Sequence, residues 1–266
     1  MTGSAARELD RLGYRDSPVH RLDARAKLLA TCAFVLAVAS FPKYEVAGLI
    51  PFLALPVGLA VVGRVPPRPL ARLLAAASPF ALLVGAANPL LDRAPVALGG
   101  TTVPAGALSL VSLLLRFVLC TGAALVLVAT TSVPALLRAM AQLGLPRPFV
   151  AQVQLLYRYL FLLVDEGARL SAARRLREPA RRLPGAGTAR RMLASLLWRT
   201  WERGDRIYQC MKARGFDGAF PLLAPARFRA VDAAYLALVV AACAAARVLP
   251  LARWVGEAAL GTRGAA

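Results

Sequence analysis

The sequence predicts an all-α integral membrane protein with about five transmembrane helices and, in addition, a pair of long helices standing in water. Three observations carry this. The chain is 58% hydrophobic with a mean hydropathy of +0.58, too apolar for an ordinary soluble domain. Its apolar residues fall in five runs, at 26–41, 46–63, 70–91, 103–131 and 229–250. Between the fourth and fifth runs, Ser132 to Phe228 holds no stretch long and apolar enough to cross a bilayer, yet carries 17 of the 33 Lys and Arg against 6 acidic residues. The expected organisation is therefore 1–131, a surface segment and four spans; 132–228, a water-exposed helical region; and 229–266, the last span and a short tail.

Residues 1–25 are polar and turn-rich, with Asp16, Ser17 and Pro18 marking a turn and Asp23 placed to cap the next helix. Charges run through this segment before any apolar run, unlike a cleavable signal peptide. The first run is short for a span of about 20 residues, so its helix is expected to borrow the turn that begins near Asp23. Pro42 to Glu45 forms a polar break, and the second run, interrupted by Pro51 and Pro56, is expected to kink. Arg64, Arg68 and Arg72 surround the Pro66-Pro67 turn. The third run, ending at Asn88-Pro89, carries small residues for close helix contact, Ala75 to Ala77 and Gly85 to Ala87. A loop is expected over Asp92 to Thr102. The fourth and longest run contains Arg116, which either serves function within the membrane or snorkels to an interface.

Beyond Ser132, Ser132 and Pro134 open a short amphipathic helix to about Leu143, and Gly144 to Pro148 turn the chain. Two long amphipathic helices follow, Leu155 to Pro179 and Leu196 to Gly218, separated at 184–187 with Thr188 as the second N-cap. The second has its own stop signal. Leu193, Leu197, Thr200, Trp201, Gly204, Tyr208 and Met211 form one apolar stripe, with Arg199, Glu202, Arg203, Asp205, Arg206 and Lys212 on the other faces. Glu202 precedes Arg206 by four residues, and Gly215 reads as the left-handed cap that leaves Ala213, Arg214 and Gly215 at the tip. On the first helix Leu156, Leu160 and Leu163 make the matching stripe. The two stripes are expected to pack on each other, with Gly204 allowing close approach and Trp198, Trp201, Tyr157, Tyr159 and Tyr208 buried between them.

Charge sets the orientation. With residues 1–27, the Arg64 to Arg72 loop, the 132–228 region and Arg229 on one side, that side carries 27 of the 33 basic residues, and the positive-inside rule makes it the cytoplasm. The N-terminus and the coupling helices are then cytoplasmic in a multi-pass cell-membrane protein.

Much chemistry is missing. There is no GxxxxGK[ST] phosphate loop. The single histidine, His20, reads as a surface residue, and Asp165 and Glu166, adjacent on a helix, read as a solvated face paired to Arg169 rather than a general acid and base. Cys32, Cys120, Cys210 and Cys243 stand singly, without disulfide or zinc spacing. No metal site, cofactor or catalytic residue is expected on this chain.

LDRLGYRDSPVHRLDARAKLLATCAFVLAVAS near the start, LLYRYLFLLVDEGARLSAARRLR in the first long helix and WERGDRIYQCMKARGFDG in the second resemble the transmembrane T component of energy-coupling factor (ECF) transporters, within it the cobalt and nickel CbiQ type. The likeness covers nearly the whole chain in order. It implies two cytoplasmic coupling helices, each ending in an Ala-Arg-Gly signature docked on one of two ATP-binding-cassette ATPase subunits. The second signature matches Ala213, Arg214 and Gly215 fully. The first falls on Leu176-Arg177-Glu178, keeping the arginine alone, with Arg174 and Arg175 beside it to share its role. The resemblance also implies a substrate-binding membrane S component as partner, ATP and Mg held on the ATPases, and cobalt or nickel as cargo.

Two alternatives belong to other classes. A self-contained permease or channel would line several spans with polar groups, and only Arg116, Asn88 and scattered Ser and Thr offer that. A nucleic-acid binder would expose aromatics among its arginines, whereas here the sequence puts them on the apolar stripe. A T component serving a vitamin substrate is the remaining variant of the ECF reading.

Overall fold

The structure is a computed structural model that describes residues 13, 17–42, 46–87, 95–98, 101–177, 185–216 and 228–248. Eight α-helices lie among them: α1 Ala24–Ala39, α2 Ala54–Val62, α3 Pro67–Ala86, α4 Ala105–Thr130, α5 Val133–Gln142, α6 Arg147–Arg177, α7 Ala186–Ala213 and α8 Ala230–Val248. A 3-10 helix, Ala47–Leu53, leads into α2. The chain divides into two compact units, one of Met1–Ala139 with Ala226–Ala266 and the other of Met140–Pro225.

Among the described residues, each of the five apolar runs is helical over most of its length. Three helices are long and apolar enough to span a membrane unaided, Pro67–Ala86, Leu108–Thr130 and Ala230–Arg247, and Gly48–Val62 is a shorter apolar helix. The first run is the 16-residue α1, begun by Asp23, whose carboxylate accepts from the Arg25 amide at 2.8 Å. Kinking in the second run takes a specific form. Pro51 lies in the 3-10 helix, and Pro56 lies in the first turn of α2, where an amide proton has no helical acceptor to lose.

One departure from an all-α chain occurs in the stretch expected to be a loop. Pro95–Leu98 and Thr101–Pro104 pair antiparallel, Leu98 opposite Thr101. The signal was present in the sequence: Gly99-Gly100 between short apolar segments is a two-residue hairpin connection. Asn88-Pro89, residues 43–45, most of the N-terminal segment and the C-terminal tail lie outside the described residues.

The first unit's core follows from four-residue spacing. Ala26, Ala30, Phe34 and Val38 bury one face of α1, Leu119 and Ala123 one face of α4, and Val239 and Cys243 one face of α8. The 3-10 helix contributes Leu49 and Phe52, and Phe52 meets Phe34 at 5.7 Å and Phe41, edge to face, at 5.4 Å. Gly85 of α3 comes so close to α4 that a Cβ there would stand 3.2 Å from Leu113 Cδ2. Elsewhere these helices expose Phe80, Leu83, Val61 and Leu36, an apolar outer surface that belongs against lipid.

Candidate functional site

The second unit holds the two long helices. α6 has 31 residues and α7 has 28, so at about 1.5 Å per residue they run roughly 46 and 42 Å. The N-cap of α7 is Gly185 and not Thr188 as expected, so the helix starts three residues earlier, and the Gly185 carbonyl accepts from Ala189 at 2.9 Å. The helices are joined by an ion pair, Arg199 Nη1 to Glu166 Oε1 at 2.9 Å, while Arg169 reaches the other oxygen of Glu166 at 3.6 Å. Glu166 therefore serves both its own helix and its neighbour. Glu202, expected to support Arg206, accepts instead from Trp198 Nε1 at 2.8 Å.

The apolar stripes do not close on each other. Leu156 is 67% exposed, Leu197 69% and Trp201 76%, and Leu160, Leu193, Trp198 and Tyr208 are exposed as well. A Cβ built on Gly204 meets nothing within 4 Å, so close helix approach at that glycine is absent. Instead the stripes line an open apolar groove. Leu156, Tyr159, Gly204, Tyr208 and Met211 border a cavity of about 460 Å³, and Leu197, Trp201, Gly204 and Tyr208 with Leu163 and Leu193 border its continuation. Leu160 lies outside this lining. The physical reason is that one stiff helix covers only part of a neighbour's surface, so stripes longer than the region of contact keep their outer residues exposed. Burial of the tryptophans between the helices, expected from the sequence, is thus replaced by exposure along the groove.

The α7 tip is built as expected, and its hydrogen bonds show how. The Phe216 amide donates to the Met211 carbonyl at 3.0 Å and the Gly215 amide to the Lys212 carbonyl at 2.9 Å, with Gly215 at φ +75°. This is a complete Schellman closure. Met211 and Phe216, the pair whose apolar contact accompanies that motif, both line the groove, and Ala213, Arg214 and Gly215 are exposed. At the α6 end Arg175, Leu176 and Arg177 are exposed but Arg174 is only 9% exposed, so the three arginines are not equivalent; Glu178 lies outside the described residues.

The sequence reading missed a buried polar cluster in the first unit. Asp232, 3% exposed in the first turn of α8, accepts the Asp23 amide and the Arg229 amide, each at 2.8 Å. Lys27, also 3% exposed, donates from Nζ to the Thr130 carbonyl at 2.9 Å. The starts of α1 and α8 and the end of α4 are thereby tied together. A lysine on the apolar face of α1, at the i+4 position from Asp23, was the available signal.

Several apolar helices of spanning length, together with a separate unit of two long helices carrying an uncovered apolar groove and an exposed basic tip, define a helical membrane protein. The cobalt transport protein family CbiQ matches residues 15–222, and the chain belongs to that family. It is also 29% identical over 220 residues to the "Putative fused cobalt transport protein CbiMQ" of Methanocorpusculum labreanum, an alignment covering 77% of this chain and 36% of that relative. The chain thus spans about a third of the relative's length.

Proposed function

We propose that this chain is the non-catalytic coupling subunit of an ECF-type importer, passing the ATP-driven motion of two ATPase subunits to a substrate-binding membrane subunit that carries cobalt or nickel. The observation that carries the reading is the second unit: two long helices joined by the Glu166–Arg199 pair, ending in the exposed Ala213-Arg214-Gly215 tip, with an apolar groove between them. A stiff rod transmits displacement where a soft loop absorbs it, and a planar guanidinium at its end makes forked bonds to carboxylates or carbonyls in a partner groove. Arg177, with Arg175 beside it, serves the second ATPase. Arg174 supports its own helix end, as its burial suggests. Residues 132–228 face the cytoplasm, as does the N-terminus.

The apolar groove takes the substrate-binding subunit in this reading, and the relative's name, which records a CbiMQ fusion, supports a membrane partner joined to this kind of chain. The cargo ion is held by that subunit, and ATP and Mg by the ATPases.

The test is purification of the complex after co-expression with the two ATPase subunits, paired with uptake of cobalt or nickel. An Arg177→Ala, Arg214→Ala double variant should insert normally yet lose the ATPases and ATP-driven uptake. Arg214→Lys should recover only part, because it keeps the charge and loses the fork. Full assembly and uptake in the double variant would refute the docking role.

A further inference from the structure

At the end of α1 remote from Asp23, two arginines converge on one turn. Arg116 on α4 donates from Nη2 to the Pro42 carbonyl, and Arg247 on α8 donates from Nη1 to the Ser40 carbonyl at 3.0 Å, its guanidinium 5.0 Å from the centre of the Phe41 ring. Both acceptors are carbonyls left over where α1 stops, so each arginine first acts as a cap. That uses one of the five donors on each guanidinium. Arg116 Nε is enclosed by protein, which leaves the terminal nitrogens as the donors open to a ligand, and among the described residues neither arginine pairs with a carboxylate.

Depth makes these spare donors consequential. Arg116 starts eight residues into Leu108–Thr130, a helix of spanning length, about 12 Å at about 1.5 Å per residue, yet its guanidinium reaches up to the turn after α1, the level at which headgroups begin. Arg247 ends the Ala230–Arg247 span. Two cations capping carbonyls two residues apart at the edge of the hydrocarbon call for an anion with several acceptor oxygens. The approach is from the lipid: Arg247 is exposed, Leu36 is exposed one turn before Ser40, and Val240 is exposed two turns before Arg247 on the same face.

We infer that Arg116 and Arg247 form a binding site for the phosphodiester of an anionic phospholipid, with its acyl chains along the apolar surface of α1 and α8. A phosphate accepts forked hydrogen bonds from guanidinium, which suits arginine over lysine at both positions. The Ser40 and Pro42 carbonyls hold the two side chains in place before the lipid arrives. Free phosphate shares the headgroup chemistry but lacks the acyl chains.

The experiment is native mass spectrometry of the full chain, delipidated in detergent and titrated separately with phosphatidylglycerol, phosphatidylcholine of the same acyl chains, and inorganic phosphate. The expected result is one phosphatidylglycerol bound at least tenfold more tightly than phosphatidylcholine, with no retained inorganic phosphate. Arg116→Gln and Arg247→Gln should each weaken it, and the double variant should remove the preference. Equal retention of the two lipids by the unaltered chain would reduce the contact to acyl packing and overturn the site. Retention of inorganic phosphate would assign a free-anion site instead, and an unchanged preference in a folded double variant would place the lipid elsewhere.

Discussion

Arg64 carries a backbone conformation usually left to glycine. At the end of α2 the Val65 amide donates to the Ala60 carbonyl at 2.9 Å and the Arg64 amide to the Val61 carbonyl at 3.0 Å, a Schellman closure with Arg64 at φ +50°. The adjacent Gly63 is used for space: a Cβ there would stand 2.7 Å from the Leu59 carbonyl oxygen and 3.1 Å from Thr130 Cγ2. Arg64→Gly should therefore stabilise the chain by about 1 kcal/mol, and Gly63→Ala should destabilise it. Thermal unfolding of the detergent-purified protein reads both shifts, and the same direction for both would contradict this division of labour. The buried cluster supplies the larger effect. Asp232→Ala leaves the Asp23 and Arg229 amides without their acceptor, and Lys27→Met leaves the buried Thr130 carbonyl without its donor, each costing about 1–3 kcal/mol. Insertion and melting of the two variants check this; unchanged melting in both would mean that the cluster is not holding α1, α4 and α8 together.

At the scale of elements, α6 and α7 owe their stability less to each other than their amphipathic patterns suggest. Gly204 has open space around it, so Gly204→Glu should leave the melting of the isolated chain within about 0.5 kcal/mol while impairing assembly with a partner that fills the groove. Glutamate at Gln209, which does not line the groove, should affect neither. Melting of the chain alone, set beside pull-down and uptake of the complex, separates the two consequences; a large loss of chain stability in Gly204→Glu would show that the stripes do close on each other in solution. The cross-helix pair permits a charge-swap test. Glu166→Arg and Arg199→Glu should each weaken coupling of ATP hydrolysis to uptake, and the double swap should restore it, although an exposed pair of this kind is worth only about 0.2–1 kcal/mol in stability. Failure of the swap to restore coupling would remove the pair from the mechanism.

For the whole molecule, the distribution of charge predicts orientation. Cysteines introduced near Asp92 and Gly261 should be labelled from outside the cell, and those near Arg68, Gly185 and Gly218 should not. Outside labelling at Gly185 would overturn the cytoplasmic placement of the coupling helices. More than half of the basic residues of this chain, 17 of 33, lie in the single region 132–228, and this asymmetry is what the labelling experiment reads.

The sequence by itself determined which stretches are helical and several of the helix ends, because these depend on local chemistry, although α6 begins at Arg147 and not at Leu155, and α7 is capped by Gly185 and not by Thr188. Asp23 accepts an amide proton within its own turn, Gly215 supplies a positive φ, Ser132 opens α5, and the run containing Arg116 is too long and apolar to stay in water. It also carried the family, through motifs spread along most of the chain. Only the tertiary structure decided which faces meet. Periodicity says that a stripe requires cover, not what covers it, so Leu197 and Trp201 were legible as a stripe but not as the wall of an open groove. Arg116 was legible as unusual, whereas its approach to Pro42, 74 residues away in sequence, and the convergence of Arg247 on the same turn depend on how α1, α4 and α8 pack. For the same reason Asp232, an ordinary acidic residue in the first turn of a helix, becomes the acceptor for an amide 209 positions earlier only when folding brings two helix starts together.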